Sequence, residues 1–152
     1  MITNHPQNIK DPAHRYRWVL TNGCFDLLHQ GHIECLQMAK DLGTKLVVLV
    51  DDDDAVRATK GPTRPIQTVI QRAKAIASLR LADYIIPVRH MATAMMLVPR
   101  IDIYVKGDDR SYDTLDERER KVLDGKGASF VFVRSSTTTH TTDIIERIKN
   151  NA

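Results

Sequence analysis

Short apolar runs alternate with amphipathic segments along most of the chain. The runs are apolar on consecutive positions, which is typical of parallel strands that are buried on both faces. They predict five strands, over 18–21, 45–51, 84–88, 101–106 and 129–134. The carboxyl ends of these strands are therefore the first places to look for a ligand site.

The segments between the strands carry apolar residues at helical spacing. They predict a helix that starts near Gly31 or His32 and carries apolar residues at 35–42 before the stop at Gly43. Further helices are predicted at 66–77, at 91–98 before Pro99, from a capping box at Thr114 to Gly125, and after a cap at Thr141 or Thr142. Strand and helix alternate about five times, and parallel neighbours need helical crossovers. The expected fold is α/β, a single doubly wound, Rossmann-like parallel sheet of about five strands flanked by helices.

The first 15 residues lack this periodicity. We expect residues 1–15 to form a loosely ordered arm and residues 16–152 to form the functional domain. A length of 152 residues, with 42% hydrophobic and 27% charged residues, is typical of one soluble globular domain.

Charge and composition limit the classes of partner that the protein is expected to bind. The net charge of +3 is small and the basic residues are scattered, so a nucleic-acid surface is not indicated. No apolar stretch approaches the roughly 20 residues of a membrane span, and the N-terminus does not have the pattern of a signal peptide. With only Cys24 and Cys35 present, we expect a cytoplasmic protein with reduced thiols and no membrane partner.

The strongest chemical signal follows the first strand. The run Thr-Asn-Gly-Cys-Phe-Asp-Leu-Leu-His-Gln-Gly-His from Thr21 to His32 leaves a strand, turns at Gly23 and enters a helix. Glycine lets the backbone approach a ligand, and a helix start offers free amides and the positive end of a dipole to an anion. His29 and His32 add donors that become positive near neutral pH, which suits a triphosphate.

This run resembles the HxGH signature of the cytidylyltransferase-like nucleotidyltransferases. Three further motifs match in order: Lys-Gly-Pro-Thr-Arg-Pro at 60–65, Val-Lys-Gly-Asp-Asp at 105–109 and Thr-Thr-Asp-Ile-Ile at 141–145. Together they cover roughly residue 18 to the C-terminus. Within the family the chain is most similar to the adenylyltransferase domains that make ADP-heptose from heptose 1-phosphate. Glycerol-3-phosphate cytidylyltransferase is the close competitor, favoured by Asp108-Asp109 and by Arg134.

The resemblance implies a HUP-type sheet and a set of site residues. The catalytic candidates are His29, His32 and Lys60. The nucleotide-binding candidates are Thr21, Asn22, Gly23, Cys24, Phe25, Asp26, Gly31, Lys106, Gly107, Asp109, Arg134, Thr141 and Thr142. The candidates for substrate or phosphate binding are Asp51, Arg64 and Arg72.

The resemblance also implies partners: an NTP, with ATP first and CTP second, together with Mg²⁺ and a sugar or polyol phosphate, and a homodimer. Two departures from the family pattern stand out. His140 takes the place of the usual serine in the last loop, which is rich in Ser and Thr, and four aspartates at 51–54 replace the commoner Asn-Ser-Asp.

Several less specific interpretations remain open. Cys24, His29, His32 and Cys35 offer two thiols and two imidazoles, a set that also occurs in zinc sites. The aspartates at 51–54 resemble a metal cluster, although a strand end followed by a helix N-terminus is the simpler interpretation. Arg72 suits a surface salt bridge nearly as well as a phosphate. A nucleotide sensor without catalysis would keep the same binding residues.

Overall fold

The sheet has the predicted architecture. A computed structural model describes residues 1–11 and 14–152, and within those ranges it has five parallel strands: β1 (Trp18–Gly23), β2 (Lys45–Asp51), β3 (Tyr84–Val88), β4 (Ile103–Gly107) and β5 (Ser129–Val133). Their order across the sheet is β3-β2-β1-β4-β5. This order confirms the predicted doubly wound parallel sheet.

The connections are helical. The helices are α1 (Gln30–Asp41), α2 (Asp53–Lys60), α3 (Val69–Ser78), α4 (Met91–Leu97), α5 (Glu117–Gly125) and α6 (Thr141–Asn150). The run of aspartates is the end of β2 and the start of α2, as the simpler interpretation held, because the Asp52 carboxylate caps α2 by accepting from the Ala55 amide at 2.8 Å.

Three predicted helix starts are wrong. The helix expected from position 66 begins only at Val69, because Thr68 is its N-cap. The capping box at Thr114 belongs to a short 3₁₀ turn, and Asp116 caps α5 instead. The N-cap of α6 is His140, whose amide donates to the Asp143 carboxylate at 2.6 Å, so neither threonine holds that position.

Alternation along the strands divides the core between the two faces of the sheet. Val19, Val48 and Ile85 pack with α1 and α3 on one face, and Leu20, Leu49 and Ile86 pack with α4 and α5 on the other. Both faces of the central strands are therefore covered, which explains their continuous apolar sequence.

The N-terminal arm is not loosely ordered. Thr3 donates its amide to the Ile85 carbonyl at 2.9 Å, so the first residues lie along the outer edge of β3. Ile9 is buried in the core at 3% exposure. The Asp11 carboxylate accepts from Trp18 Nε1 at 2.8 Å. The contacts of Thr3, Ile9 and Asp11 contradict a loose arm for residues 1–11, whereas Pro12 and Ala13 lie outside the described residues.

The strand order fixes where a ligand site can form. From β1 the chain winds outward to β2 and β3 on one side and to β4 and β5 on the other. The carboxyl ends of β1 and β4 therefore form the crevice at the reversal point, where open sheets of this kind bind ligands. In the part of the chain that the structure describes, no helix is long and apolar enough to cross a membrane.

Candidate active site

The first loop, which we define as residues 24–29 between β1 and α1, is held in a strained conformation. Phe25 and Leu27 have φ angles of 52° and 51°, in the left-handed region that non-glycine residues rarely adopt. Such a backbone persists only where its surroundings determine it. This loop is the segment in which the sequence placed the most specific motif.

Three elements hold the first loop from outside. Arg72 on α3 donates from Nη1 to the Cys24 carbonyl at 2.5 Å, and Thr141 on α6 donates its hydroxyl to the Asp26 carbonyl at 2.7 Å. The Leu27 amide donates to Gln67 Oε1 at 3.3 Å. The loop is therefore fixed by partners 40 or more residues away along the chain.

Asp26 joins the first loop to the segment that precedes α3. It is 1% exposed, and its carboxylate accepts from Arg64 Nε at 3.0 Å, from the Ile66 amide at 2.8 Å and from the Gln67 amide at 3.0 Å. Both carboxylate oxygens are used by the protein. Asp26 thus positions Arg64 and is a structural part of the site.

The two histidines form a stacked pair at the start of α1. Their ring centroids are 3.8 Å apart with an interplanar angle of 27°. His29 Nδ1 accepts from the Gly31 amide at 3.1 Å, and His32 Nδ1 accepts from the His29 amide at 3.4 Å. A neutral imidazole whose Nδ1 is an acceptor carries its proton on Nε2. Each ring therefore keeps one Nε2–H donor for a ligand.

The surroundings lower the pKa values of both histidines, which opposes the expectation that they become positive near neutral pH. Burial, followed by the neighbouring His29 and then Lys60, lowers the pKa of His32 to about 3. Burial, followed by His140, lowers the pKa of His29. The pair therefore offers directed N–H dipoles instead of net charge.

Glycines keep the backbone around the pair open. A Cβ at Gly31 would lie 3.1 Å from His29 Cε1 and 3.4 Å from Ser135 Oγ, which is tighter than ordinary packing. A Cβ at Gly23 would meet only the Phe25 ring, at 3.4 Å, so the protein itself does not require glycine there. The missing side chain at Gly23 leaves the backbone at the end of β1 covered on that side only by the Phe25 ring.

A hydrogen-bonded network occupies the end of β4, beside the first loop. Asn22 Oδ1 accepts from the Tyr104 hydroxyl at 2.7 Å and from Lys106 Nζ at 3.0 Å, and Lys106 Nζ also donates to the Asn22 carbonyl at 2.7 Å. Burial lowers the pKa of Lys106 and raises the pKa values of Asp51 and Glu119, whose charges act on the same lysine. The structure thus places Lys106 on Asn22, with Asp51 near enough for its charge to act on the lysine.

Tyr104 and Glu119 are members of this network that the sequence analysis missed. Tyr104 is fully buried, and in the sequence it cannot be distinguished from the apolar strand residues around it. Glu119 reads as a solvated charge on a helix. Neither has a local pattern that indicates contact with Asn22.

Arg72 is neither a surface salt bridge nor a free phosphate ligand. Its side chain is 0% exposed, Nε donates to the Gln67 carbonyl at 3.0 Å, and Nη2 donates to the Asp53 carboxylate at 2.7 Å. Together with the bond to Cys24, every nitrogen of the guanidinium has a protein acceptor. The predicted phosphate role does not fit this geometry, and Arg72 instead clamps the first loop to α2 and α3.

Two other predicted cations lie at the site, Lys60 at the surface and Arg64 with a largely buried side chain. Lys60 is exposed at the end of α2 and acts electrostatically on Cys24, His32 and Asp51, so it faces the same site. Arg64 Nη2 is buried and finds no partner among the described residues. A donor left in this way suits an anion.

The remaining predicted residues surround the crevice at different depths. Thr21 and Cys24 are buried, so ligand contact through their side chains is not available, and Phe25 packs against His32 with ring centroids 5.4 Å apart. The Asp109 carboxylate lies over Gly107, with Oδ1 2.8 Å from where a Cβ at that glycine would be. Thr142 is exposed.

The serine loop, which we define as residues 134–140 between β5 and α6, closes the site on the side of α1. It begins at exposed Arg134 and ends at His140, whose ring centroid is 6.3 Å from that of His29. Ser135 and Ser136 bind the side chain of Glu34 on α1. Glu34 is a further residue that the sequence analysis did not single out.

The alternative metal interpretations lack a cluster. In 1–11 and 14–152, no group of three or more His, Cys, Asp or Glu side chains is arranged to hold a metal ion. Cys35 packs with the apolar residues between α1 and the sheet, and burial raises the pKa of its thiol. Both cysteines are free thiols.

Comparison with known proteins agrees with this geometry. The sequence model of the family described as cytidylyltransferase-like matches residues 20–147. Bifunctional protein HldE of Pseudomonas fluorescens is 37% identical over 141 residues, which are 91% of this chain and 29% of that protein. The chain therefore spans less than a third of the length of the curated relatives it matches first.

Solved structures show the same fold. The lipopolysaccharide core biosynthesis protein of Thermoplasma volcanium superposes with a TM-score of 0.61 at 31% identity, covering 82% of this chain and 99% of that one. The pantoate-beta-alanine ligase of Francisella tularensis, solved with Beta-gamma ATP and beta-alanine, superposes with a TM-score of 0.61 over 98% of this chain and 77% of that one. Its identity of 12% shows a shared fold alone.

Proposed function

The chain belongs to the cytidylyltransferase-like family and is a nucleotidyltransferase, and from this premise we propose that it transfers a nucleoside monophosphate from an NTP to a sugar phosphate with release of pyrophosphate. The observation that carries the proposal is the stacked pair of His29 and His32 at the start of α1, with both Nδ1 atoms occupied and both Nε2–H groups left as donors. Two such donors at the positive end of the α1 dipole suit the oxygens of a triphosphate.

The proposed reaction is an in-line displacement. An oxygen of the acceptor phosphate forms a bond to the α-phosphorus of the NTP, and the bond from that phosphorus to the α–β bridging oxygen breaks. The electron pair leaves with the bridging oxygen as pyrophosphate. A phosphate monoester has a second pKa of about 6, so the acceptor is largely ionised at neutral pH and needs no general base.

Catalysis then depends on positioned donors. Negative charge grows on the bridging oxygen and spreads over the equatorial oxygens of the transferred phosphoryl group. In our proposal the histidine Nε2–H groups donate hydrogen bonds that stabilise this charge. Because the first loop is rigid, the groups do not reorient during the reaction. Asp26, Arg72 and Thr141 supply that rigidity.

The cations of the site complete the neutralisation. Lys60, Arg64 and Arg134 are proposed to contact the β- and γ-phosphates or the acceptor phosphate, with Lys106 and Asp109 near the nucleoside. Asp26 has both oxygens occupied, so it does not fit a role as metal ligand. We propose that Mg²⁺ arrives on the phosphate oxygens of the nucleotide and reduces their charge, since nucleotide-bound Mg²⁺ needs few protein ligands.

The proposed donor and acceptor are ATP and heptose 1-phosphate, giving ADP-heptose. The motifs at 21–32, 60–65 and 105–107 support this choice by resemblance, and so does the similarity to HldE. The structural neighbour from Thermoplasma volcanium, described as a lipopolysaccharide core biosynthesis protein, supports a sugar acceptor. CDP-glycerol formation from CTP and glycerol 3-phosphate is the second candidate, because Asp108-Asp109 and Arg134 resemble that enzyme.

We also propose a cytoplasmic homodimer. The homodimer rests on the family resemblance, and the surface offers support. Ile66 and Ile70, expected on a buried helix face, are 53% and 50% exposed and are free to pack against a second copy. The location rests on the use of an NTP, which is a cytoplasmic substrate.

A substrate panel tests the proposal. The protein would be incubated with ATP, CTP, GTP or UTP against heptose 1-phosphate, glycerol 3-phosphate and other sugar and polyol phosphates, with pyrophosphate release as the readout and omission of either substrate as the control. Release with ATP and heptose 1-phosphate alone is expected. Release with CTP and glycerol 3-phosphate alone selects the second candidate, and no release with any pair contradicts the proposal.

A further inference from the structure

Glu34 is the residue that fastens the serine loop to α1. One carboxylate oxygen accepts from Ser135 Oγ at 2.9 Å and from the Ser136 amide at 2.8 Å. The other accepts from Gln30 Nε2 at 2.9 Å and makes a close contact with the Ser136 hydroxyl. A single side chain on the second turn of α1 therefore binds two consecutive residues of the loop.

Little else connects the loop to this helix. Within the described ranges, every hydrogen bond between the serine loop and α1 ends on Glu34 or on Gln30, whose amide donates to Ser136 Oγ at 2.8 Å. The other hydrogen bonds of the loop are short-range, such as the one from the Thr137 amide to Ser135 Oγ at 3.1 Å. No residue of 134–140 is buried.

The loop carries groups that belong to the site. Arg134 opens it and His140 closes it, beside His29. Ser135 Oγ lies close to Gly31, at the start of α1, so the fastened loop reaches the helix N-terminus proposed to hold the triphosphate. Release of the loop would leave Arg134 on a flexible segment with no fixed distance to the nucleotide.

We propose that Glu34 is a positioning residue that fastens the serine loop across the start of α1 and thereby places Arg134 on the β- and γ-phosphates of the bound NTP. The expected kinetic effect rests on the proposed function, whereas the attachment of the loop by Glu34 does not. Hydrogen bonds to the ionised carboxylate, first of all from Ser136, lower the pKa of Glu34 to about 2, so the contact stays formed at every pH at which the protein is assayed.

Limited proteolysis tests the structural half without any substrate. Trypsin cleaves after Arg134 only when the loop can leave α1, and mass spectrometry detects the fragment that begins at Ser135. We expect Glu34→Ala to speed this cleavage at least tenfold. The matched control is Glu117→Ala, which removes an exposed carboxylate from α5, away from the loop, and should leave the rate unchanged. Equal rates in Glu34→Ala and wild type would overturn the proposal.

Steady-state kinetics test the functional half. Misplacement of a binding group by about 1 Å costs up to roughly a hundredfold in rate. We expect Glu34→Ala to lower kcat/KM for the NTP by about 10- to 100-fold while KM for the acceptor is unchanged. A merely structural role would change the kinetic constants for the NTP and for the acceptor together.

A double-mutant cycle separates positioning from a general effect. If Glu34 acts by placing Arg134, then adding Glu34→Ala to Arg134→Ala should lower kcat/KM by less than about twofold. Losses that multiply in full would overturn the proposal. If the wild type releases no pyrophosphate with any substrate pair, the proposed function fails, whereas the proteolysis result still decides whether Glu34 fastens the loop.

Discussion

The two loops that flank the start of α1 are fixed in opposite ways. The first loop is held from the interior by two side chains that are at most 1% exposed. Arg72, on α3, binds the backbone of the loop and a carboxylate of α2, and Asp26 extends from the loop to the segment at 64–67. The serine loop is held from the surface by Glu34, which is only partly buried.

The difference indicates a division of labour within the site. Buried, mutually satisfied polar groups are costly to separate, so the histidines on the first loop stay in one arrangement. The serine loop depends on one partly exposed carboxylate, so a single substitution at the surface is enough to release it.

The largest effect is expected when the interior clamp is removed. Arg72→Ala leaves Asp53 and the Cys24 carbonyl without their donors and opens a cavity, and breaking such a buried pair costs about 3 kcal/mol or more of the free energy of unfolding. Urea denaturation measures this loss of free energy of unfolding. The control is Arg57→Ala, which breaks an exposed ion pair with Asp54 and should cost less than about 1 kcal/mol. Equal stabilities of the two variants would contradict the clamp.

The next effect concerns the groups that the clamp positions. His29→Ala or His32→Ala removes one directed donor, and the loss of one such donor lowers kcat by about 10²- to 10³-fold. Circular dichroism should show that the fold is kept. His90→Ala is the matched control, because His90 is exposed and its side chain makes no cap to α4. A folded variant of either first-loop histidine with the wild-type rate would refute the assignment.

The smallest effect is the pH dependence of the free energy of unfolding. His32 beside the first loop contributes to it, and Glu34, which holds the serine loop, does not. His32 has a pKa of about 3 when folded and about 6.5 when unfolded, so below pH 6.5 the unfolded chain binds a proton that the folded protein does not. Stability therefore falls as the pH falls from 6.5 towards 3, by up to about 1.4 kcal/mol per pH unit. The lowered pKa of His29 acts in the same direction.

Urea denaturation at pH 7.5, 6.5 and 5.5 measures this slope. His32→Gln should flatten it, whereas Glu34→Ala should leave it unchanged, because the pKa of Glu34 is lowered to about 2 and the carboxylate does not titrate in this range. Parallel slopes for wild type and His32→Gln would show that burial of the imidazole is not the cause.

Much of this picture follows from the sequence. The consecutive apolar runs predict all five strands, since a strand covered on both faces has no polar side to show. The motif from Thr21 to His32 predicts the position of the site, because a glycine turn between a strand and a helix is a local feature. The spacing of three residues between His29 and His32 predicts two imidazole donors at one helix start.

Other features have no local signature. The N-terminal arm lacks periodicity because it adds one extended edge and a few buried contacts to a core built by other residues. Arg72 and Tyr104 resemble a surface charge and an apolar strand residue until the fold gives them partners 48 and 82 positions away. A burial that depends on a distant partner leaves no pattern in the surrounding sequence.

The sequence by itself determined the parallel sheet and the chemical groups at the carboxyl ends of its strands, because these depend on local periodicity and on short motifs. Tertiary structure alone decided the protonation of the histidines, the conversion of Arg72 from a candidate ligand to a clamp and the attachment of the serine loop to Glu34. The physical reason is that burial and hydrogen-bond partners set a side chain's charge and freedom, and both are properties of the assembled fold.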